Sequence, residues 1–402
     1  MFTVPETRQL LPDLQGTQSD AFEWICLTGA ESGDAHGERR VIDPAWRLPA
    51  RAPTVIVGTP VLPDCLQGLP KQDGVATGPA VYLQQIENAR PVGYEAVLGG
   101  DGALYTTRGK VTAGAAAEGL AKRTLAGHHG YVLIQDDGRQ MLGVRPNLRP
   151  ERLAQTALFL GALEPDNFGS FLLRVLPQML VQSEERVACD VIIVPARTPW
   201  ILEALALLGL DDCPVLSVKE SAGFCFNRLC MVQNTYQVGA FGPDMRARLD
   251  RLAQSCAAFA PVAAKRLYIS RALQSVARPS YRNLLNEREI ETRLRAQGFA
   301  IFTPETWQLK RQIGMFAAAE DVVGPSGSGT LLSAFAAEGA RVLELESYSL
   351  NVVQHARLYA TTGKHYGFAF GATEPETSAP DRRAWRLDPE ILDQAMAGLK
   401  MH

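Results

Sequence analysis

At 402 residues the chain is long enough for two domains of ordinary size, each with its own core. Hydrophobic residues make up 46% of it, and 40 basic against 43 acidic side chains leave a net charge of −3. That is a globular composition without the global charge that nucleic acid or an anionic membrane would attract, so any anion binding must be local.

The amino terminus has neither a basic nor an apolar signal region, and no run approaches the roughly 18 apolar residues of a membrane span. Seven scattered cysteines, odd in number and mostly among apolar neighbours, read as reduced usage, and no Cys-x-x-Cys pair suggests zinc. A cytoplasmic protein is expected, with peripheral membrane association left open.

Residues 1 to about 75 are rich in proline, glycine and charge and yield one strand, over 54–58. Short β-like runs follow at 80–83 and 93–98. A Gly99-Gly100-Asp101-Gly102 turn precedes 103–105, and together these predict antiparallel hairpins. His128 and His129 precede a strand at 131–134. Neighbouring residues point to opposite faces of a strand, so they do not suggest a shared metal. From about 156 strands alternate with helices, the rhythm of a parallel sheet. The pattern gives a strand at 156–160, a helix over 168–181 interrupted near Pro177, a strand at 191–194, a helix at 200–208, strands at 215–218 and 225–232, and a helix from 241 to 259. A tail at 257–262 reads as a domain junction.

A second alternating series runs from a strand at 266–271 through a basic, irregular stretch to Arg282. Asn286 and Glu289 have the spacing of a capping box before a helix to Gly298. A strand at 299–302, a helix at 305–319, a strand into Val323, a helix at 331–338, a strand at 341–346, a helix from about 350 that includes His355, a strand at 365–370 and a last helix at 389–399 complete the chain. Two Rossmann-like series joined near 260 predict two α/β domains facing a cleft at the carboxyl ends of both sheets, preceded by a β-rich region over 1–150.

The most informative stretch is Gly324-Pro325-Ser326-Gly327-Ser328-Gly329-Thr330, a glycine-rich turn between strand and helix. Free backbone N–H groups there would favour phosphate, although glycines also serve simple tight turns. No lysine follows Gly329, Leu332 stands where a dinucleotide fingerprint needs a third glycine, and Ser328 occupies the glycine position of a nucleophile elbow.

These residues belong to a longer pattern. Ile269-Ser270-Arg271, Arg282-Asn283-Leu284-Leu285-Asn286-Glu287, Pro304-Glu305, Gln312, the 324–329 loop and Val342-Leu343-Glu344-Leu345 follow one another in the order and spacing of the family 61 glycosyltransferases. The second half resembles that family. Asn167-Phe168-Gly169-Ser170-Phe171 before Leu176-Pro177 looks like a worn form of its Asn-aromatic-x-His-Trp element, extending the resemblance over roughly 165–370. In this chain Ser326 and Ser170 stand where the family has histidines, Arg174 stands near its acidic position, and Leu332 replaces an asparagine.

The resemblance implies a GT-B-like enzyme with an acceptor-side domain over 1–260 and a nucleotide-sugar domain over 261–402, transferring a sugar with inversion to a hydroxyl of a glycan or glycoconjugate. In the site it implies, the donor diphosphate meets Gly324, Ser326, Gly327, Ser328, Gly329 and Thr330 with the guanidinium forks of Arg271 and Arg282, while Arg278 reads as a solvated loop residue. Glu287 would take ribose hydroxyls or simply begin a helix, with Glu305 similar and Asn167 beside the donor. No Asp-x-Asp pair lies near a strand end in the second half, so no cofactor is expected and metal-independent donor binding is the default. Asp166 is the candidate catalytic base, or else a helix cap; Glu184 and Glu185 are weaker candidates. With the two histidines absent, a binding protein that kept the diphosphate site and lost its base stays open as the alternative.

Overall fold

The computed structural model describes residues 23–27, 38–60, 63–110, 131–136, 139–144, 150–235, 239–262, 264–277, 282–347, 351–374 and 383–401. The histidine pair 128–129 and Arg278 lie outside them. The chain forms two compact units, Met1–Pro44 with Ala80–Thr235, and Ala45–Pro79 with Tyr236–His402.

The first unit is built on a nine-stranded mixed sheet. Its parallel part runs Val215–Ser217, Val191–Val194, Glu151–Phe159, Phe224–Gln233, with all three neighbouring pairs parallel. Numbered along the chain this is the order 3-2-1-4, in which the direction of winding reverses between Glu151–Phe159 and Phe224–Gln233. Val191–Val194 is buried throughout, as a strand covered on both faces must be. The hairpin region is more continuous than short apolar runs suggest. Val81–Gly93 is one 13-residue strand that pairs antiparallel with Phe224–Gln233. Its middle, from Gln84 to Arg90, is polar enough to hide from an apolar-run search, although Ile86 and Ala89 are buried in it. The unit also holds a three-stranded antiparallel sheet of Glu23–Leu27, Arg139–Val144 and Tyr131–Asp136.

The second unit has a six-stranded parallel sheet in the order Ala300–Phe302, Arg266–Ile269, Asp321–Pro325, Arg341–Glu346, His365–Phe370, Val55–Val57. Its first five strands have the chain order 2-1-3-4-5, so winding reverses between Arg266–Ile269 and Asp321–Pro325. One side of the sheet packs Tyr268, Val323, Leu343 and Leu345 against Ile290 and Leu294 of helix Glu287–Ala296 and Leu392 of helix Pro389–Gly398. The two α/β series thus make separate sheets.

Several elements differ from their sequence-based outlines. The helix expected over 331–338 is a six-residue 3-10 turn, Thr330–Phe335, buried at every position. It has no solvent face to support amphipathic helix growth, and its i to i+3 bonds, such as Leu332 N–H to Gly329 O at 3.2 Å, draw it tight. The helix expected at 305–319 divides into a 3-10 turn, Pro304–Thr306, and helix Leu309–Ala317, with extended backbone at Trp307 and Gln308 between them. The interruption expected near Pro177 lies just before it, as a π-helical segment Phe171–Val175 ahead of helix Leu176–Glu185. Proline lacks the N–H that would continue α-helical bonding, and the wider turn absorbs the defect. The stretch after Arg271 is a short helix, Ala272–Ala277. Asn286 is an N-cap without a side-chain cap bond, because its amide instead pairs with Leu387, accepting from N–H at 3.1 Å and donating to O at 2.8 Å.

Lys364, 1% exposed, donates to the carbonyls of Ala336 and Ala337 just after the 3-10 turn. Burial first, then the Arg246 charge, lowers its pKa from the ordinary 10.5 to about 8. Because the folded value lies below the unfolded one, the unfolded chain binds more protons between pH 8 and 10.5, and Lys364 favours folding increasingly as pH rises through that window. The stability difference between wild type and Lys364→Met should shift toward wild type by on the order of 3 kcal/mol from pH 8 to 10.5, measured by urea unfolding at each pH. A difference that does not vary with pH would mean that Lys364 is not buried as a charge.

Candidate functional site

Three connections of the second unit converge at the carboxyl side of its winding reversal. Strand Arg266–Ile269 runs out into Ser270 and Arg271, strand Ala300–Phe302 into the Pro304 turn, and strand Asp321–Pro325 into the glycine loop. Their closeness explains two glycines. A Cβ on Gly324 would stand 2.8 Å from Ile269 Cβ, and one on Gly329 would stand 3.0 Å from Ile269 Cγ2 and 3.6 Å from Pro304 Cγ. Gly327 is different: a Cβ there would meet the Arg271 guanidinium at 3.4 Å, in ordinary contact.

The loop is pinned at both ends and open in the middle. Ser326 N–H donates to Leu345 O at 2.8 Å, and Thr330 donates to Gly327 O through both N–H, at 3.1 Å, and hydroxyl, at 2.7 Å. The N–H groups of Gly327, Ser328 and Gly329 make no backbone hydrogen bond among the described residues. Arg271 Nη1 donates to Ser326 O at 2.7 Å, which anchors a half-buried guanidinium beside those groups. Successive unpaired N–H groups next to an arginine make a concavity suited to an anion. The hydroxyls divide: Ser326 and Thr330 are buried and turned inward, whereas Ser328 is half-exposed.

Glu287 is 5% exposed and supports Arg271 from below. Its Oε1 accepts from Arg271 N–H at 2.6 Å and from Tyr268 Oη–H at 3.3 Å. Burial raises its carboxyl above the ordinary value, against the pull of the Arg271 N–H. This carboxylate holds the Ser270-Arg271 turn, and that oxygen is already engaged within the protein. Arg282 is 7% exposed with φ at 51°, a left-handed conformation that few side chains adopt. Its carbonyl accepts from Trp385 Nε1–H at 3.0 Å. Glu305 is exposed on the Pro304–Thr306 turn. Gln312 fastens that turn, donating from Nε2 to Pro304 O at 2.9 Å and to Trp307 O at 2.8 Å.

Asp166 and Asn167 belong to the first unit, in the connection that leaves the carboxyl end of Glu151–Phe159 at that sheet's own winding reversal. Both are exposed. Asn167, not Asp166, is the helix cap, with its side chain accepting from Ser170 N–H at 3.1 Å. The Ser170 hydroxyl donates to Leu163 O, so it ties down the same connection. Gln178, 1% exposed, brackets Gly161 by accepting from its N–H at 3.2 Å and donating to its carbonyl at 2.7 Å. Glu184 is exposed and Glu185 makes an ion pair with Arg40 on helix Leu176–Glu185.

Sequence reasoning passed over a buried cluster behind the loop. Glu344, 0% exposed in strand Arg341–Glu346, accepts from Tyr359 Oη–H at 2.6 Å and lies 2.7 Å from His355 Nδ1. The signals were present: a carboxylate inside an apolar strand, and a His and Tyr four residues apart on one helix face.

This is a mixed α/β protein with parallel sheets, a build consistent with α/β glycosyltransferases. Residues 168–343 match the family model described as Glycosyltransferase 61, and that match supports a glycosyltransferase enzyme. No curated protein matches the chain. Among the described residues no helix is long and apolar enough to cross a membrane.

Proposed function

We propose that the protein transfers a sugar, with inversion, from a nucleotide sugar to a hydroxyl of a glycan or glycoconjugate, and that its two sheets are the halves of a GT-B enzyme. The observation that carries this reading is the Gly327–Ser328–Gly329 backbone with Arg271 beside it at a winding reversal. Departure of a nucleoside diphosphate places negative charge on phosphate oxygens, and fixed N–H groups with a guanidinium stabilise that charge without reorganising. In this reading the donor diphosphate is held by these groups without a metal. Glu287 acts by fixing Arg271, and Asp166 takes the proton of the attacking hydroxyl.

Titration with a nucleotide-sugar panel, followed by transfer and donor-hydrolysis assays, tests the proposal. Donor binding with turnover is expected, and Asp166→Asn should keep the binding while losing the turnover. Undiminished turnover in that variant would remove Asp166 from the mechanism. Binding without any turnover in wild type would select a donor-binding protein that lacks its base, in keeping with Ser170 and Ser326 at the positions where family 61 has histidines.

A further inference from the structure

A fully buried carboxylate needs a reason. Replacing a buried ionic cluster by packed apolar side chains is often neutral or stabilising, so fold stability alone gives little cause for Glu344. Burial on its own would raise the Glu344 pKa; the charge and hydrogen bond of His355, followed by the hydroxyls of Ser326 and Tyr359, outweigh it and hold the carboxyl below its ordinary value. Glu344 is the strand partner of Gly324, and the carbonyl of Leu345 next to it accepts from Ser326 N–H at 2.8 Å, so the cluster stands beside the start of the glycine loop. Burial, then the Glu344 charge, pushes the Tyr359 phenol well above its usual range, so it remains a donor, with the hydroxyls of Thr330 and Ser333 close to it.

Ser326 and Thr330, at the two ends of the glycine loop, and Ser333 in the 3-10 turn are thus buried beside one cluster, each at most 3% exposed. Between the two ends lie the unpaired N–H groups of Gly327, Ser328 and Gly329. Backbone bonds fix only the two ends of the loop, which leaves the groups between them room to rotate away. The cluster beneath it is the part of the fold placed to prevent that.

We infer that Glu344, with His355 and Tyr359, positions the glycine loop from below, so that its unpaired N–H groups stay directed at the donor diphosphate. The diphosphate half of this inference rests on the function proposed above; the loop half does not. None of the three side chains acts on the substrate directly.

Tyr359→Phe removes one oxygen and keeps the packing, so the fold should persist. Amide hydrogen exchange without ligand is the first readout. The amides of Ser326, Thr330 and Leu332 should exchange at least about tenfold faster, while those of Leu267, Tyr268, Val322 and Val323 in the neighbouring strands keep wild-type protection. In a transfer assay donor kcat/KM should fall at least about tenfold, with kcat lowered as well as KM raised and the acceptor KM unchanged, because the loop N–H groups hold the diphosphate more strongly as charge develops on it in the transition state. Glu344→Gln, which keeps an acceptor for Tyr359, should recover most of the loop protection that Glu344→Ala loses. Wild-type exchange at the three loop amides in Tyr359→Phe, or a uniform rise across the whole sheet, would overturn the positioning role. Failure of wild type to bind UDP or GDP would count against the proposed function, while the exchange comparison would still decide the loop.

Discussion

Arg271→Ala should weaken nucleotide binding ten- to a hundredfold, because a charge-assisted hydrogen bond contributes roughly 1.5–3 kcal/mol. The structure sharpens the reason. Arg271 Nη1 holds Ser326 O at 2.7 Å, and its guanidinium lies against Gly327, so truncation removes both the fork and the brace of the loop. The backbone bond from Arg271 N–H to Glu287 survives any side-chain change, so the Ser270-Arg271 turn should persist and the loss should appear in binding rather than in folding. Arg271→Lys should recover only part of the affinity, since an ammonium cannot hold the Ser326 carbonyl and a phosphate in one planar fork. Calorimetric titration with UDP and GDP at two salt concentrations measures this, and a partly exposed charge contact should weaken as salt rises. Wild-type affinity in both folded variants would show that the diphosphate is not held here.

Trp385→Ala should destabilise the second unit by about 3–5 kcal/mol, the usual range for truncating a buried tryptophan. The side chain is 2% exposed within the cluster that holds Tyr268, Leu284, Ile290 and Leu392. It also binds the segment carrying Arg282. Trp385 N–H donates to Asn283 O at 3.0 Å, Leu285 N–H donates to Trp385 O at 2.8 Å, and the indole N–H donates to Arg282 O at 3.0 Å. Because Arg282 sits at positive φ, its conformation depends on such surroundings. Trp385→Phe keeps most of the volume and should cost less, with about 1 kcal/mol of its loss from the missing indole bond. The lost stability should appear as a lower urea midpoint for the unit, with the slope retained if two-state behaviour holds. A midpoint like that of wild type in Trp385→Ala would contradict the packing described.

Much of the fold was legible because local patterns carry it. Val191–Val194 is an apolar run of strand length, Val322 with Val323 and Val342 with Leu343 mark two shorter ones, and alternation with helices along the chain implies parallel sheets. The spacing of Ser270-Arg271, Pro304 and the glycine loop likewise marks the carboxyl ends of three strands, which is where the structure brings them together.

What the residues alone could not decide depends on partners far away in the chain. The strand over 54–58 is legible as a strand, but only pairing shows that Val55–Val57 extends the second sheet beside His365–Phe370. Val81–Gly93 becomes one strand because Phe224–Gln233 lies against its polar middle. A segment of helical composition after Gly329 tightens into a 3-10 turn because packing leaves it no solvent face. Glu287, read as a ribose ligand or a helix start, does begin helix Glu287–Ala296, and it is also a buried brace because Arg271 N–H and Tyr268 Oη–H reach its carboxylate. Periodicity in a sequence reports which face of an element is apolar; it does not report which distant backbone or hydroxyl will meet a given polar atom. The role of a buried Glu344 or Gln312 is set by such meetings, and these exist only once the chain has folded.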